Sequence, residues 1–213
     1  RLIAAGAFTL YAHPHVGLRV PILWGIRQGF LQGIEVKNDV VGSGWNTVFN
    51  LGTWWYPFAF DWAVDYGLTV FANSDVHGAR GNAEQATTLV LVKERTVAGV
   101  MEALRAGRTL ACFNNMVCGH QGVLELLLAN MVDVRVSNTG DGTVFLRLEN
   151  AGPKELIGEI EGMPVNSVTL GAYQHVLISL RRRPTEIAMT WRNLYTGSTT
   201  NLTTTHLLTD TTN

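Results

Sequence analysis

The sequence contains few charged residues. Asp, Glu, Lys and Arg make up 15% of its 213 residues, against about 25% in an average soluble domain. The 16 Lys and Arg residues are balanced by 17 Asp and Glu residues, so the formal net charge is −1. Nucleic acids and anionic membranes are bound through an excess of positive charge, which argues against both as partners. The low charge fits a secreted or periplasmic protein slightly better than a cytoplasmic one, with large interfaces to partners as the alternative explanation.

Cysteine and long apolar runs are also scarce. Cys112 and Cys118 are the two cysteines, which is too few for a disulfide framework. We expect two reduced, partly buried thiols, with a bridge or a metal clip as alternatives. No apolar run is long enough to span a bilayer, and no basic segment followed by an apolar one marks a signal peptide. Because the sequence opens at Arg1, we expect a fragment of a longer protein, and a lost signal peptide stays an alternative.

The first half of the sequence alternates apolar runs of strand length with amphipathic runs of helix length. Gly67 follows one predicted helix as its C-terminal glycine, and Thr96 precedes another as its N-cap. Strands that alternate with helices predict βαβ units and a parallel sheet or barrel. The predicted strands are 7–12, 33–37, 68–72, 87–92 and 108–113, and the predicted helices are 18–30, 54–66 and 96–106.

The second half shows a different pattern. From about Leu126 onward only strand-like alternation is seen, interrupted by turn signals, which predicts a small all-β sandwich. We therefore predict two domains, an α/β domain over 1–120 and a β-sandwich-like domain over 125–213. The predicted strands of the second domain are 132–136, 144–148, 176–180, 187–191 and 203–208, and the turn signals lie at 138–142, 151–153 and 195–197.

Polar residues able to bind a metal follow two of the predicted strands. His13 comes directly after the first strand, and Asp75 and His77 follow the third. Residues i and i+2 of an extended backbone share one face, so Asp75 and His77 point the same way. Imidazole and carboxylate together suit Zn, Mn or Fe. A turn cap at Asp75 and a solvated loop position for His77 are the alternatives, but the three residues together favour a metal site.

Several stretches together resemble the later half of a PHP domain (polymerase and histidinol phosphatase type). They are Ala-His-Pro at 12–14, Gly-Ile-Glu-Val-Lys-Asn at 33–38, and the segment 62–78, which ends in Asn-Ser-Asp-Val-His-Gly. The segment 87–109 is similar to the usual ending of the family, so the resemblance covers about residues 1–115. Residues 191–196 resemble the end of a β domain that some bacterial PHP phosphoesterases carry.

The resemblance implies a distorted (β/α)7 TIM-like barrel with two or three divalent metal ions at the C-terminal ends of its strands. His13, Asp75 and His77 match family ligands, and Asp75 and His77 are the expected catalytic residues. The family also carries an H-x-H motif and further ligands, which would precede Arg1. We therefore expect a fragment of a larger barrel, with an oligomer or partner chain that completes the barrel, or a degenerate site, as alternatives.

The metal interpretation leads to a mechanism. Divalent ions lower the pKa of a bound water, and the resulting hydroxide attacks the phosphorus of a small phosphorylated substrate. Arg80 and Lys37 are the candidates for binding the ester, with a plain surface charge as the alternative for each. The residues expected to orient the ligands are Asn38, Asn73 and His15, with turn chemistry as the equal alternative for the two asparagines and a plain surface position for His15. Glu35 lies in the middle of a strand, and we expect it to be structural and paired with a cation.

Two other functions remain open at the level of sequence. The same metal chemistry would serve hydrolysis of an amide or a carboxylic ester. A non-catalytic binding or assembly module built on a degenerate PHP-like barrel is the alternative from a different class. That alternative predicts that His13, Asp75 and His77 do not converge on a shared cation.

Overall fold

The computed structural model describes residues 3–39, 54–75, 85–138, 143–163 and 166–208. The chain divides into two compact units: Arg1–Val123 with the short segment Thr196–Thr199, and Leu124–Tyr195 with Thr200–Asn213. Helices and strands are mixed along the chain, as predicted, so the fold class is α/β. That residues 1–120 form part of a PHP-like barrel and residues 125–213 a β-sandwich-like domain stays a prediction.

The first unit contains a parallel sheet of three strands in the order β1-β2-β3. Leu10 of β1 pairs with Gly33 of β2, which pairs in turn with Thr69 of β3. The sequence prediction of parallel strands is therefore confirmed for this sheet. The carboxyl ends of all three strands meet at one edge. The elements are β1 (Leu10–Tyr11), α1 (Val20–Arg27), β2 (Gly33–Asn38), α2 (Pro57–Tyr66) and β3 (Thr69–Asn73).

Helix α2 covers this sheet for reasons visible in its sequence. Pro57 occupies the first turn, where a missing N–H costs nothing, and Gly67 ends the helix in the left-handed conformation with φ 64°. Its face with Ala59, Phe60 and Ala63 is fully buried. The helix begins at Pro57 rather than at the predicted residue 54, because proline favours the first helical position and disfavours the interior.

The remaining elements of the first unit form an antiparallel group. They are β4 (Thr87–Val90), α3 (Val97–Arg105), β5 (Thr109–Phe113) and β6 (Met116–Cys118). The pairs β4–β5 and β5–β6 both run antiparallel, so the expectation of parallel strands is wrong here. The N-cap prediction for α3 is confirmed, since Thr96 Oγ1 accepts from the amide of Gly99 at 3.0 Å. Both cysteines are buried and reduced, as expected.

Two threonines tie this antiparallel group to the parallel sheet. Thr88 Oγ1 accepts the amide N–H of Ala72 at 3.0 Å and donates to the carbonyl of the same residue at 2.9 Å. Thr109 Oγ1 donates to the carbonyl of Val70 at 2.8 Å. The polar groups on this edge of β3 therefore find partners without a regular strand ladder, which holds the carboxyl end of β3 in place.

The second unit is built from antiparallel sheets. One sheet has the order β11-β8-β7, and a second group runs β10-β9-β12 with β13 paired to β12. Their inward side chains include Leu146, Leu148, Leu156, Met189 and Trp191, all fully buried. The strands are β7 (Val132–Asn138), β8 (Val144–Asn150), β9 (Leu156–Ile160), β10 (Ser167–Leu170), β11 (His175–Leu180), β12 (Glu186–Gly197) and β13 (Thr200–Leu207).

Three sequence predictions need correction. Helix α4 (Gln121–Met131) occupies residues predicted to begin the strand pattern, because Leu124 and Leu128 repeat at i, i+4 and bury one helical face. The first strand is shorter than the predicted 7–12. The turn predicted at 195–197 lies inside β12, because Thr and Tyr favour extended structure in a sheet.

The predicted TIM-like barrel and β-sandwich are not confirmed. Over the described ranges the sheets remain open and no closed barrel is formed. The structure nevertheless contains the parallel βαβ arrangement on which the predicted metal site depends. No helix in the described part of the chain is both long enough and apolar enough to cross a membrane.

Candidate metal site

His13 leaves the end of β1 in an unusual backbone conformation. Its φ of 51° and ψ of 58° are left-handed, a region that costs most residues about 1–2 kcal/mol. Pro14 follows it, is buried, and opens a short 3-10 turn. The side chain of His13 is 49% exposed. The imidazole is thus held at the sheet edge by its backbone and remains accessible to solvent.

Glu35, on the central strand β2, is the partner of His13. Its side chain is only 2% exposed. Oε2 accepts the backbone N–H of His13 at 2.8 Å and lies 3.1 Å from Nδ1 of the same residue. Oε1 accepts from Nδ2 of Asn73 at 2.7 Å. A buried carboxylate needs several donors to offset its lost hydration, and these groups supply them.

A β-bulge brings Asn38 to the same place. The register of β2 against β3 shifts between Glu35 and Lys37, so β2 has one extra residue there. In a regular strand, residues 35 and 38 would point to opposite faces. With the bulge, Nδ2 of Asn38 lies 3.4 Å from Oε1 of Glu35 and 3.1 Å from Nδ1 of His13. Bulges often redirect side chains beside active sites in this way.

Asp75 follows β3 at the same edge and shares the left-handed conformation of His13. Its φ is 48°, and Asp and His are among the residues that tolerate this region best. Tyr56 is a buried tyrosine near both Asp75 and Glu35. Burial raises the pKa of Tyr56 above its usual value, and the charges of Glu35 and Asp75 raise it further. Both carboxylates therefore act on one phenol.

Lys37 and His15 lie around this group. The Nζ of Lys37 donates to the carbonyl of Asn38 at 2.9 Å and lies 3.4 Å from Asp39 Oδ1. Burial lowers the pKa of Lys37, and Asp39 opposes that shift. Burial also lowers the pKa of His15, with a further contribution from the nearby charge of His13. His15 is therefore a neighbour of the predicted ligand.

Two predicted residues, His77 and Arg80, lie outside the described residues. Across the ranges the structure describes, no three His, Cys, Asp or Glu side chains gather as metal ligands. The structure brings His13, Asn38 and Asn73 together around Glu35. Asp75 follows β3 at the same edge of the sheet. The assignment of His13, Asp75 and His77 as ligands remains a prediction.

The donor chemistry of the described residues fits a divalent cation. His13 offers an exposed imidazole beside a buried carboxylate, and Asp75 offers a carboxylate after β3, which is separated from β1 by β2. Imidazole nitrogen together with carboxylate oxygen suits Zn²⁺, Mn²⁺ and Fe²⁺. Imidazole ligands normally donate their other ring N–H to a carboxylate or carbonyl, and Oε2 of Glu35 lies 3.1 Å from Nδ1 of His13.

Glu35 has a larger role than its place in the sequence suggested. Its position in the middle of an apolar strand predicted a structural residue paired with a cation, but the structure places it at the centre of the group. One signal in the sequence pointed to this role, since Glu35, Lys37 and Asn38 crowd into one short strand. All six residues of that strand are buried, and buried polar side chains are costly unless they find partners.

The fold is similar to that of a solved two-domain protein. This protein, from Bacteroides vulgatus, is described as containing a predicted PHP-like metal-dependent phosphoesterase. The TM-score is 0.78 at 20% sequence identity, and the match covers 97% of this chain and 63% of the neighbour. The chain thus spans less than two thirds of the neighbour's length. No protein-family model and no curated protein matches the sequence.

Proposed function

We propose that this chain belongs to a metal-dependent phosphoester hydrolase of the PHP type. The observation that carries the proposal is the edge of the parallel sheet, where exposed His13 is held by buried Glu35 and Asp75 follows the next strand. The similarity in fold to a protein named as PHP-like supports it. A distorted (β/α)7 barrel and an appended β-sandwich are part of the same proposal.

His13, Asp75 and His77 would hold the divalent ions, which are Zn, Mn or Fe. Two or three ions are expected if further ligands complete the site. A divalent ion supplies a bound water of lowered pKa and neutralises phosphoryl oxygens. Electrostatic stabilisation of this kind is the dominant contribution in phosphoryl transfer.

The chain's own residues orient the ligands and the substrate. Asn38 and Asn73 fix the carboxylate that holds His13. Arg80 is proposed to bind the phosphoryl oxygens directly, since a guanidinium can bind them in a bidentate way. Lys37 is buried and paired with Asp39. We therefore propose that Lys37 raises the electrostatic potential of the site from its buried position and does not contact the ester directly.

The test substitutes Asp75. In Asp75→Asn, the left-handed backbone is kept, because Asn tolerates that conformation as well as Asp does, while the anionic ligand is lost. The matched control is Asp133→Asn, the same change at a half-exposed residue of β7 that pairs with Arg135 at 2.6 Å. Bound metal is measured by mass spectrometry, folding by circular dichroism, and hydrolysis with aryl phosphate monoesters and diesters.

We expect the Asp75 variant to fold but to lose most of its metal and its activity, whereas the Asp133 variant keeps both. Retention of metal and hydrolysis by the Asp75 variant would show that Asp75 is not a ligand. A wild-type protein that binds no divalent ion and hydrolyses neither ester would contradict the proposed function and favour the binding module instead.

A further inference from the structure

We propose that Glu35 is the positioning residue of His13, fixing both its ring tautomer and its backbone so that Nε2 is the ligating atom. This inference rests on the proposed function, because it concerns how the chain prepares one ligand for the metal. The observation behind it is a single carboxylate oxygen, Oε2, that contacts both the backbone amide and Nδ1 of the same histidine.

The tautomer follows from the contacts of Nδ1. Glu35 Oε2 lies 3.1 Å from Nδ1 of His13. A carboxylate oxygen can only accept, so an unprotonated Nδ1 would set two lone pairs against each other. A proton on Nδ1 turns this repulsion into a charge-assisted hydrogen bond, which is about twice as strong as a neutral one. The lone pair of the neutral ring is then on Nε2.

The neighbouring amide of Asn38 does not change this conclusion. Its Nδ2 lies 3.1 Å from Nδ1 of His13 and 3.4 Å from Oε1 of Glu35. Nδ2 of Asn38 can only donate, so it bonds Nδ1 only when that nitrogen is unprotonated; with Nδ1 protonated, Asn38 donates to Oε1 of Glu35 instead. The buried carboxylate of Glu35 is charged whereas the amide of Asn38 is neutral. Its interaction with a proton on Nδ1 is therefore the stronger one and decides the tautomer.

The backbone of His13 is fixed by the same oxygen. Oε2 accepts the His13 N–H at 2.8 Å, in a residue whose φ of 51° is unfavourable for a side chain with a Cβ. A hydrogen bond to a charged acceptor is among the stronger ones in proteins, and its contribution is large enough to offset one left-handed residue. Ring and backbone are thereby held as one unit.

Glu35 is itself rigid enough for this role. It lies on β2, between β1 and β3 in the sheet, and its side chain is 2% exposed. Its second oxygen is held by Asn73 at 2.7 Å. A ligand is oriented well when the residue behind it is locked by packing and hydrogen bonds, and Glu35 meets both conditions.

The first test needs no change at Glu35. Long-range ¹H–¹⁵N NMR spectra distinguish the two neutral histidine tautomers. Of the six histidines in the sequence, His13 is assigned by comparison with His13→Gln, a change at a half-exposed side chain. In the metal-free wild-type protein at mildly alkaline pH, we expect the proton on Nδ1. A proton on Nε2 would overturn the inference.

The second test uses Glu35→Gln, which keeps the shape but has only one acceptor oxygen. The side-chain NH₂ group of the new glutamine must then face a group that is itself a donor, on His13 or on Asn73. We expect loss of the single His13 tautomer and a roughly 10- to 100-fold weaker affinity for Zn²⁺ in a chelator competition titration. The matched control is Glu102→Gln, the same change at a 47% exposed glutamate paired with Arg108, which should alter neither.

The two proposals fail in different ways. A wild-type protein with the Nδ1 proton that binds no Zn²⁺ would refute the proposed function and leave the tautomer assignment intact. Unchanged Zn²⁺ affinity in a folded Glu35→Gln protein would refute the positioning role even if the metal site is real. If Glu35→Gln does not fold, the wild-type spectrum still decides the tautomer.

Discussion

Asn73, at the end of β3, donates Nδ2 to Oε1 of Glu35 at 2.7 Å. This bond joins the carboxyl end of β3 to the middle of β2, and the same Glu35 side chain accepts the backbone N–H of His13. The two residues are 38 positions apart in the sequence, and neither stands out alone. Their contact ties the group that holds His13 to the strand that leads to Asp75.

The first prediction concerns this bond. Asn73→Asp would place a second carboxylate against a buried one, so we expect the free energy of unfolding to fall by about 1–3 kcal/mol at neutral pH. At acidic pH the loss should shrink, because uptake of a proton by the pair restores a donor. Urea denaturation at several pH values measures both effects.

Asn73→Ala is the control for this prediction, since it removes the donor without adding a charge. Its loss of stability relative to wild type should depend less on pH than that of Asn73→Asp. Equal losses in the two variants at every pH would mean that the carboxylate of Glu35 does not face residue 73.

The second prediction concerns Tyr56 at alkaline pH. Burial, followed by the charges of Glu35 and Asp75, raises the pKa of this phenol in the folded protein. Above its ordinary pKa of about 10 the unfolded chain loses the phenol proton while the folded protein keeps it, so stability falls as pH rises. The slope from this group approaches about 1.4 kcal/mol per pH unit.

Tyr56→Phe removes the titrating group, so the alkaline loss of stability should be shallower than in wild type. Tyr173→Phe, the same change at a 71% exposed tyrosine, should keep the wild-type slope. Thermal unfolding followed between neutral and strongly alkaline pH gives the comparison. A wild-type slope in Tyr56→Phe would argue against a buried phenol near the two carboxylates.

The third prediction concerns Gly33 at the start of β2. A Cβ at this position would lie 2.6 Å from the ring of Phe71, 3.0 Å from the carbonyl of Thr69 and 3.1 Å from the ring of Phe8. Because the rings are packed and the carbonyl belongs to the neighbouring strand, we expect Gly33→Ala to cost about 1–3 kcal/mol.

Gly122→Ala is the matched control. Gly122 lies in helix α4, and a methyl group added there would meet no atom within 4 Å. Alanine at this position should stabilise the helix by about 0.5–1 kcal/mol. The two changes are chemically identical. If chemical denaturation shows a lower free energy of unfolding for Gly33→Ala and a higher one for Gly122→Ala, the close approach at Gly33 is confirmed. A stabilising Gly33→Ala would contradict the tight packing of β2 on β3.

Local signals are enough to predict where the strands of the parallel sheet lie and where several helices end. Gly67 is predicted to terminate a helix and Thr96 to cap one, and both act as predicted. These features depend on a few neighbouring residues. The antiparallel direction of β4 to β6 could not be predicted, because the sequence pattern of a buried strand does not encode the direction of its partner.

The candidate site also has some features that follow from local sequence and others that follow only from strand pairing. The sequence itself determined that His13 and Asp75 follow parallel strands, because apolar runs and their polar ends are local features. Only the tertiary structure decided that His13, Asn38 and Asn73 meet around Glu35. That meeting depends on strand register and on one extra residue in β2. Register is set by packing and hydrogen bonding between distant segments, so the central role of Glu35 emerges only when the strands are paired.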